Sequence, residues 1–136
     1  IALNKVDSTG HPTKRWVEQK VSSVRIALMD ENETFIELGD CTIANPEIQS
    51  ALWKLHDLKV SEDQERIYVK PLVIVQVQYT SAFEGSFCKQ WKYHNQYVEA
   101  GSCAFFKLRN PRFIRFRADK KVCPEDLRLE QIKDGE

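Results

Sequence analysis

The chain has 136 residues with 20 basic and 20 acidic side chains, and 42% of its residues are hydrophobic. This composition is typical of one soluble globular domain, and no apolar run approaches the roughly 20 residues that a membrane-spanning helix needs. The four cysteines are scattered without a C-x-x-C pair. A structural zinc site is therefore not expected. The cysteines are expected to be reduced thiols of an intracellular protein, either nuclear or cytoplasmic.

The first third of the chain predicts a linker and then a β-hairpin. Residues 1–14 are expected to be an extended linker from a preceding domain, and residues 15–136 to be the folded domain. Residues 21–29 alternate between apolar and polar side chains, and residues 34–38 return after a polar turn, which predicts two antiparallel strands. Gly39 predicts a bulge where the second strand bends.

The middle of the chain predicts one helix and a valine-rich strand. Asn45 followed by Pro46 is typical of an N-cap and a first helical residue, and the apolar residues that follow recur at helical spacing. The alternating, β-branched residues 72–80 predict a central strand. Two further strands are predicted at residues 102–108 and 112–118, separated by a proline that ends the pairing.

The remaining segments predict a small barrel. Five short strands with an inserted helix fit a partly open Greek-key barrel, although periodicity alone allows other small barrels. Pro124 is expected to open a short C-terminal helix, with acidic residues at its positive end. The aromatic residues among residues 85–101 are interleaved with lysines, as in single-strand binders, but a long loop or an insert folded on itself also explains them.

A basic run stands near the end of this otherwise neutral chain. Residues 107–121 contain seven basic side chains and one carboxylate, Asp119. Guanidinium groups suit phosphate oxygens because they present parallel donors and stay protonated, so the run predicts a polyanionic ligand. A basic edge strand that prevents aggregation is the alternative. The carboxylate is expected to pair with Arg117 or Lys120, or to help position a metal or a catalytic residue on a facing domain.

Strict alternation in the basic run predicts which side chains share a face. Ile114 and Phe116 are expected to face the core, while Phe113, Arg115 and Arg117 face the ligand together with the carboxylate.

The same run carries a resemblance to a known family. Residues 108–132 read L-R-N-P-R-F-I-R-F-R-A-D-K-K-V-C-P-E-D-L-R-L-E-Q-I. This segment resembles the end of the OB-fold domain of ATP-dependent DNA ligases, where the last nucleotidyltransferase motif reads R-F-P-R-F-x-R-x-R-x-D-K before a Pro-Glu/Asp helix start. Upstream, F-I-E-L-G-D-C-T-I, N-P-E-I and Y-T-S-A-F are similar to segments of smaller ligases. The resemblance implies an OB fold, a five-stranded Greek-key barrel with one inserted helix and a short C-terminal helix.

The resemblance also implies a role within a larger enzyme that uses ATP and Mg²⁺. In this family a lysine in a K-x-D-G motif of a separate nucleotidyltransferase domain takes AMP from ATP, passes it to a 5′-phosphate, and the adjacent 3′-hydroxyl then displaces AMP. Lys133-Asp134-Gly135 lacks the intervening residue of that motif. The chain alone is therefore expected to be inactive. Its expected partners are the nucleotidyltransferase domain of the same polypeptide and nicked duplex nucleic acid, which the resemblance implies is DNA. The whole enzyme is expected to be a monomer.

Site residues follow from the motif. Arg117 and Lys120 are expected to stabilise the departing pyrophosphate, and Asp119 to orient them, while no metal ligand is expected in this chain. The residues expected to bind backbone phosphates or nucleic acid are Lys107, Arg109, Arg112, Phe113 and Arg115.

Alternatives remain open at this point. Asn110 stands where the family usually has the phenylalanine that presses into the minor groove, which leaves room for a viral-type small DNA ligase or an RNA ligase. An mRNA capping enzyme is a further alternative, because these enzymes are similar in sharing R-x-D-K on an OB domain. A free-standing OB-type module that binds nucleic acid without a catalytic role is the other alternative.

Overall fold

A computed structural model describes residues 1–5, 14–127 and 129 of the chain. The strands in this part are β1 (Ala2–Asn4), β2 (Ser23–Met29), β3 (Phe35–Thr42), β4 (Lys59–Glu62), β5 (Arg66–Val69), β6 (Val75–Gln78), β7 (Ser81–Tyr93), β8 (Tyr97–Arg109) and β9 (Arg112–Phe116). The helices are α1 (Lys14–Val17) and α2 (Pro46–Trp53), and α2 continues into a 3-10 helix at Lys54–Leu58. The prediction of a mainly β domain is confirmed.

The strands form one open sheet. Neighbours follow the order β4-β5-β1-β2-β3-β7-β8, and every pair along this path is antiparallel. β9 lies off the path, antiparallel to β6 and parallel to β3 at the pair Thr42 and Arg112. The strand that carries the basic run therefore joins β6 to the rest of the sheet.

The β2–β3 hairpin confirms the prediction for residues 21–38. Asp30 shapes the turn, because its Oδ1 accepts hydrogen bonds from the backbone N–H groups of Asn32 and Thr34 at 2.9 and 3.0 Å. A side chain that binds its own downstream backbone in this way specifies a turn without help from distant residues.

The bulge predicted near Gly39 is also present. Ile26 pairs with Gly39 and Ala27 pairs with Glu37, so Leu38 is the extra residue of β3. Gly39 has φ +105°, a backbone conformation that other residues adopt only under strain. The bulge increases the local bend of the sheet.

Helix α2 begins as its sequence predicts. Oδ1 of Asn45 accepts a hydrogen bond from the Glu47 N–H at 2.8 Å, and Pro46 occupies the first turn. Leu52 is buried at 1% exposure, and the Gln49 side chain donates to the Ile43 carbonyl at 2.7 Å. The helix is thus fixed to the end of β3 by its apolar face and by one buried amide.

Two clusters of buried side chains form the core. The first contains Leu3, Val21, Val24, Cys41, Ile43, Leu52, Ile67, Val69 and Phe113. The second contains Leu28, Leu38, Ala82 and Leu108. The partly buried Ile26 packs against both clusters, so β2 runs along the line between them.

The first residues belong to the sheet. β1 pairs with β2 on one side and with β5 on the other, and Ala2 and Leu3 are each 1% exposed. The extended linker expected for residues 1–14 is therefore not what residues 1–5 form. Residues 6–13 of that expected linker lie outside the described residues.

The valine-rich strand is not central, contrary to the prediction. In the described part of the chain, β6 pairs only with β9, and the residues before it, Leu72 and Val73, are 65% and 38% exposed. Val75 and Val77 still pack against the first cluster. The β-branched residues therefore indicate that one face of β6 packs on the core, and not that the strand is central.

The segment from residue 81 to residue 109 is a long hairpin, β7 and β8, of 13 residues in each strand. Of the two structural interpretations of residues 85–101, the loop is wrong and the insert folded on itself is confirmed. At the C-terminal end, residues 122–127 form turns and bends, and the Leu127 N–H donates a hydrogen bond to the Cys123 carbonyl at 3.0 Å. Most of the expected C-terminal helix lies outside the described residues.

Candidate functional site

A bulge in β9 decides which way the basic run faces. Phe113 pairs with Val77 and Arg115 pairs with Gln76, which leaves Ile114 as the extra residue of β9. Phe113 is buried at 8% exposure, whereas Ile114 is 40% exposed. The prediction that Ile114 faces the core is therefore wrong, because the bulge interrupts the alternation on which it rested.

The aromatic residues of β9 pack together on one side. The ring of Phe116 meets the ring of Phe113 edge to face at 5.1 Å between centroids. Phe116 nevertheless remains 38% exposed. The prediction that it faces the core is therefore wrong, and its ring lies at the edge of the core. Phe113 belongs to the first cluster, so its ring packs in the core and is not open to nucleic acid as expected.

The two arginines of β9 are exposed. Arg112 lies opposite Thr42 and Gln78, at the point where β9 touches both β3 and β6. The Arg115 Nε donates to Oε1 of Gln76 at 2.7 Å, a cross-strand bond that holds the stem and leaves the terminal nitrogens outward. Both guanidinium groups are therefore accessible to a ligand.

Arg117 and Asp119 form a two-point ion pair directly after β9. Nε and Nη2 of Arg117 lie 2.9 and 2.8 Å from the two carboxylate oxygens of Asp119. The Arg117 N–H donates to the Ile74 carbonyl at 2.8 Å, which anchors the backbone of the pair to the segment before β6. The expectation that the lone carboxylate pairs with a cation of the run is confirmed.

This ion pair keeps both groups charged. The hydrogen bonds from Arg117 hold the pKa of Asp119 well below its usual range, and the same bonds raise the pKa of Arg117. Asp119 is 64% exposed and Arg117 is 25% exposed, so solvent screens the pair and its contribution to stability is small.

Lys120 lies in the turn that follows. Its N–H donates to the Arg117 carbonyl at 3.3 Å, and its ammonium is 4.0 Å from Oδ1 of Asp126. Oδ2 of Asp126 accepts a hydrogen bond from the Lys121 N–H at 2.8 Å. The Lys120 side chain is 40% exposed and its ammonium is only loosely paired, so it can reach an anionic ligand beside Arg117.

A cavity of about 280 Å³ lies next to this turn. It is lined mainly by apolar side chains of both core clusters, and Arg117, Lys120 and Asp126 also contribute to its lining. Two of the three expected catalytic residues, Arg117 and Lys120, therefore line this cavity.

The other two expected contact residues lie at the base of the long hairpin. Lys107 and Arg109 are exposed on β8, and the guanidinium of Arg109 stands 5.4 Å from the centre of the Phe83 ring. Asn110, with φ 53°, turns the chain between β8 and β9. This left-handed turn suits asparagine and explains locally why a larger aromatic residue is not found there.

Sequence reasoning missed one exposed feature of the hairpin. Phe87 is 82% exposed, while its neighbour Cys88 is 7% exposed. The signal was present as strand alternation, with Phe87 and Lys89 on the side opposite to Cys88.

Metal and membrane features add no site to this description. Among residues 1–5, 14–127 and 129, no group of three His, Cys, Asp or Glu side chains is arranged to hold a metal ion. No helix in the described part of the chain has the length and apolar character to cross a membrane.

Comparison with known proteins adds no relative. No model of a protein family matches the chain, and no curated protein matches it.

Proposed function

We propose that this chain is the OB-fold domain of an ATP-dependent polynucleotide ligase, which acts on nicked DNA. The observation that supports this most is the ion pair of Arg117 and Asp119 with Lys120 beside it. These residues are the R-x-D-K of the motif that resembles ligases. In this proposal β9 belongs to the barrel of an OB fold, and its pairing with both β6 and β3 supports that, although the sheet in the described residues has nine strands and not the five that the sequence predicted.

The geometry suits a polyphosphate. A guanidinium has five N–H donors, and Asp119 takes two of them, so three remain for phosphate oxygens. The charge on the leaving pyrophosphate grows as its bond to the α-phosphorus breaks, so donors fixed beforehand stabilise the transition state more than the ground state. Asp119 supplies that prior orientation, and its presence inside a basic run has a physical reason.

The nucleotidyltransferase domain of the same polypeptide would supply the lysine that receives AMP, together with most contacts to ATP and Mg²⁺. The cations beside Asp119 support a role toward the phosphate groups of the nucleotide. The domain must close over that site for adenylylation and then turn away, so that Arg112, Arg115 and the hairpin base meet the nucleic acid.

The test uses the full-length enzyme that contains this chain. Arg117→Ala and Lys120→Ala are expected to slow formation of the enzyme-AMP adduct more than they slow sealing of pre-adenylylated nicks. Lys121→Ala is the matched control, because this exposed lysine follows the motif directly and is expected to change neither rate. Equal losses in both assays refute the assigned role.

The alternative of a binding module without a catalytic part predicts a different result at Asp119. A pure phosphate binder gains affinity when a carboxylate leaves its basic cluster, so Asp119→Ala would tighten nucleic-acid binding. In the ligase the same substitution lowers adenylylation, because Arg117 loses its orientation.

A further inference from the structure

The base of the long hairpin holds an arginine against an exposed aromatic ring. The guanidinium carbon of Arg109 lies over the face of the Phe83 ring, 5.4 Å from its centroid. Phe83 is 39% exposed and belongs to neither core cluster. It lies directly opposite Lys107, and Ser81, two residues earlier on β7, lies opposite Arg109. The ring and both cations therefore share one face of the hairpin.

Arg109 is fixed at its backbone and at its side chain. Its carbonyl accepts hydrogen bonds from the N–H and from Oγ1 of Thr80, each at 3.0 Å. In the described part of the chain, its guanidinium has no hydrogen-bond acceptor and no ion-pair partner. The ring thus orients the guanidinium without using any of its five N–H donors.

The surroundings of this pair favour an anionic ligand. Residues 105–112 contain Lys107, Arg109 and Arg112 and no Asp or Glu, and residues 79–83 on the facing strand contain no charged residue. A guanidinium that is already held in place loses less side-chain entropy when it binds, which increases its affinity for a phosphate.

We propose that Phe83 is a positioning residue for nucleic acid, whose ring holds the Arg109 guanidinium ready for one backbone phosphate, while Lys107 contacts a neighbouring phosphate. This inference rests on the proposed contact between the hairpin base and nicked DNA. Because the guanidinium covers a face of the ring, the geometry favours this role over direct stacking of a base on Phe83.

The test measures binding of a fluorescein-labelled nicked DNA duplex to the full chain by anisotropy. Phe83→Leu retains apolar area without a π face and is expected to weaken binding by about 2- to 5-fold, the range of one exposed cation–π contact. Phe83→Trp, whose ring attracts cations more strongly, is expected to bind at least as tightly as the parent chain.

Phe87→Leu is the matched control. Phe87 is 82% exposed and pairs with Ala104, three residues before Lys107 on β8, so its ring lies on the opposite face of the hairpin. This substitution makes the same chemical change away from Arg109 and is expected to leave DNA binding unchanged.

A double-mutant cycle separates positioning from direct contact. Arg109→Ala is expected to weaken binding and to reduce the slope of log affinity against log salt by about 0.9, the value for one phosphate contact on duplex DNA. In the Arg109→Ala background, Phe83→Leu is expected to cause no further loss, because the ring acts only through the guanidinium. A general loss of folding would instead weaken binding in both backgrounds.

Three results would overturn the inference. A loss from Phe83→Leu that is the same with and without Arg109 would identify a direct contact between the ring and DNA. Equal binding by the leucine and tryptophan variants would exclude a cation–π role. Unchanged affinity and salt slope in Arg109→Ala would also remove the hairpin base from the proposed DNA contact, whereas the adenylylation assays on Arg117 and Lys120 test the ligase assignment separately.

Discussion

The Arg117 guanidinium donates to both carboxylate oxygens of Asp119, from Nε to Oδ1 at 2.9 Å and from Nη2 to Oδ2 at 2.8 Å. The two residues are separated by one position in sequence, and the turn after β9 brings the side chains together, while the Arg117 N–H bond to the Ile74 carbonyl fixes the backbone of the pair. A fork of this kind fixes the plane of the guanidinium, which a lysine in place of Arg117 would not do.

We expect Asp119→Asn to lower the maximal rate of enzyme-AMP formation in the full-length enzyme, with a smaller effect on the apparent KM for ATP. The amide retains the shape of the carboxylate but loses the charge that orients Arg117, and this orientation matters most in the transition state. Single-turnover measurements over a range of ATP concentrations separate the two parameters. Glu125→Gln, an exposed acidic residue a few positions further on, is the control. A change confined to KM would contradict the prediction.

Local chemistry explains which parts of the fold are predictable from the sequence. Asp30 and Asn45 each bind backbone groups within four residues of themselves, so the β2–β3 turn and the start of α2 can be read without knowing the rest of the fold. The R-x-D-K pair is equally local.

Features that depend on distant pairing were not predictable. The bulge at Ile114 exists only because β9 pairs with β6, more than 30 residues earlier, and alternation within β9 cannot reveal it. β1 has three residues and lies in the sheet because two remote strands flank it.

Phe113→Ala is expected to destabilise the domain by about 3–5 kcal/mol, the usual cost of removing a buried aromatic ring. Ile114→Ala is the matched control in the next position, and because Ile114 is 40% exposed its cost is expected to stay below about 1 kcal/mol. Urea denaturation followed by circular dichroism measures both values. Similar losses for the two variants would show that the bulge does not place these side chains as described.

Arg25→Met is expected to reduce the free energy of unfolding by roughly 2–3 kcal/mol, less than for a fully buried pair because solvent reaches the site. Arg25 bonds to Glu37 at 2.8 Å and to both oxygens of Asp40 at 2.8 and 3.0 Å. Loss of the Arg25 guanidinium leaves the Glu37 carboxylate without this ion-pair partner, and the Glu37 side chain is only 11% exposed. The control is Lys59→Met, at a solvent-exposed ion pair with Glu62, where no measurable change is expected. Equal effects of the two substitutions would be the contrary result.

Asp40 is expected to make the free energy of unfolding depend on pH in the acid range. Burial raises the pKa of its carboxyl, but hydrogen bonds from Arg25 and Asn4 outweigh burial and bring the pKa below its usual value. A group with a lowered folded-state pKa contributes fully above its unfolded pKa of about 3.9, and the contribution disappears as pH falls through the folded value. We expect Asp40→Asn to cost about 1 kcal/mol at pH 7, allowing for solvent screening, and progressively less below about pH 4. A difference from the parent chain that stays constant down to pH 3 would contradict this assignment.

Cys41 is expected to resist alkylation in the folded domain. It is 0% exposed, and burial raises the pKa of its thiol to about 12, so the reactive thiolate is scarce at pH 8. Iodoacetamide labelling followed by mass spectrometry should modify the partly exposed Cys123 first and Cys41 only after urea unfolds the chain. Native labelling of both cysteines at one rate would contradict the buried position.

The same thiol reports on the core around Phe113, because both residues belong to the first cluster. If Cys41 reacts only through global opening, Phe113→Ala should speed its labelling by roughly two to four orders of magnitude, as the lost free energy of unfolding implies. Ile114→Ala should leave the rate within about fivefold of the parent chain. Faster labelling without a matching loss in urea stability would mean that β9 opens by itself, and the strand that carries the basic run would then be the least stable part of the sheet.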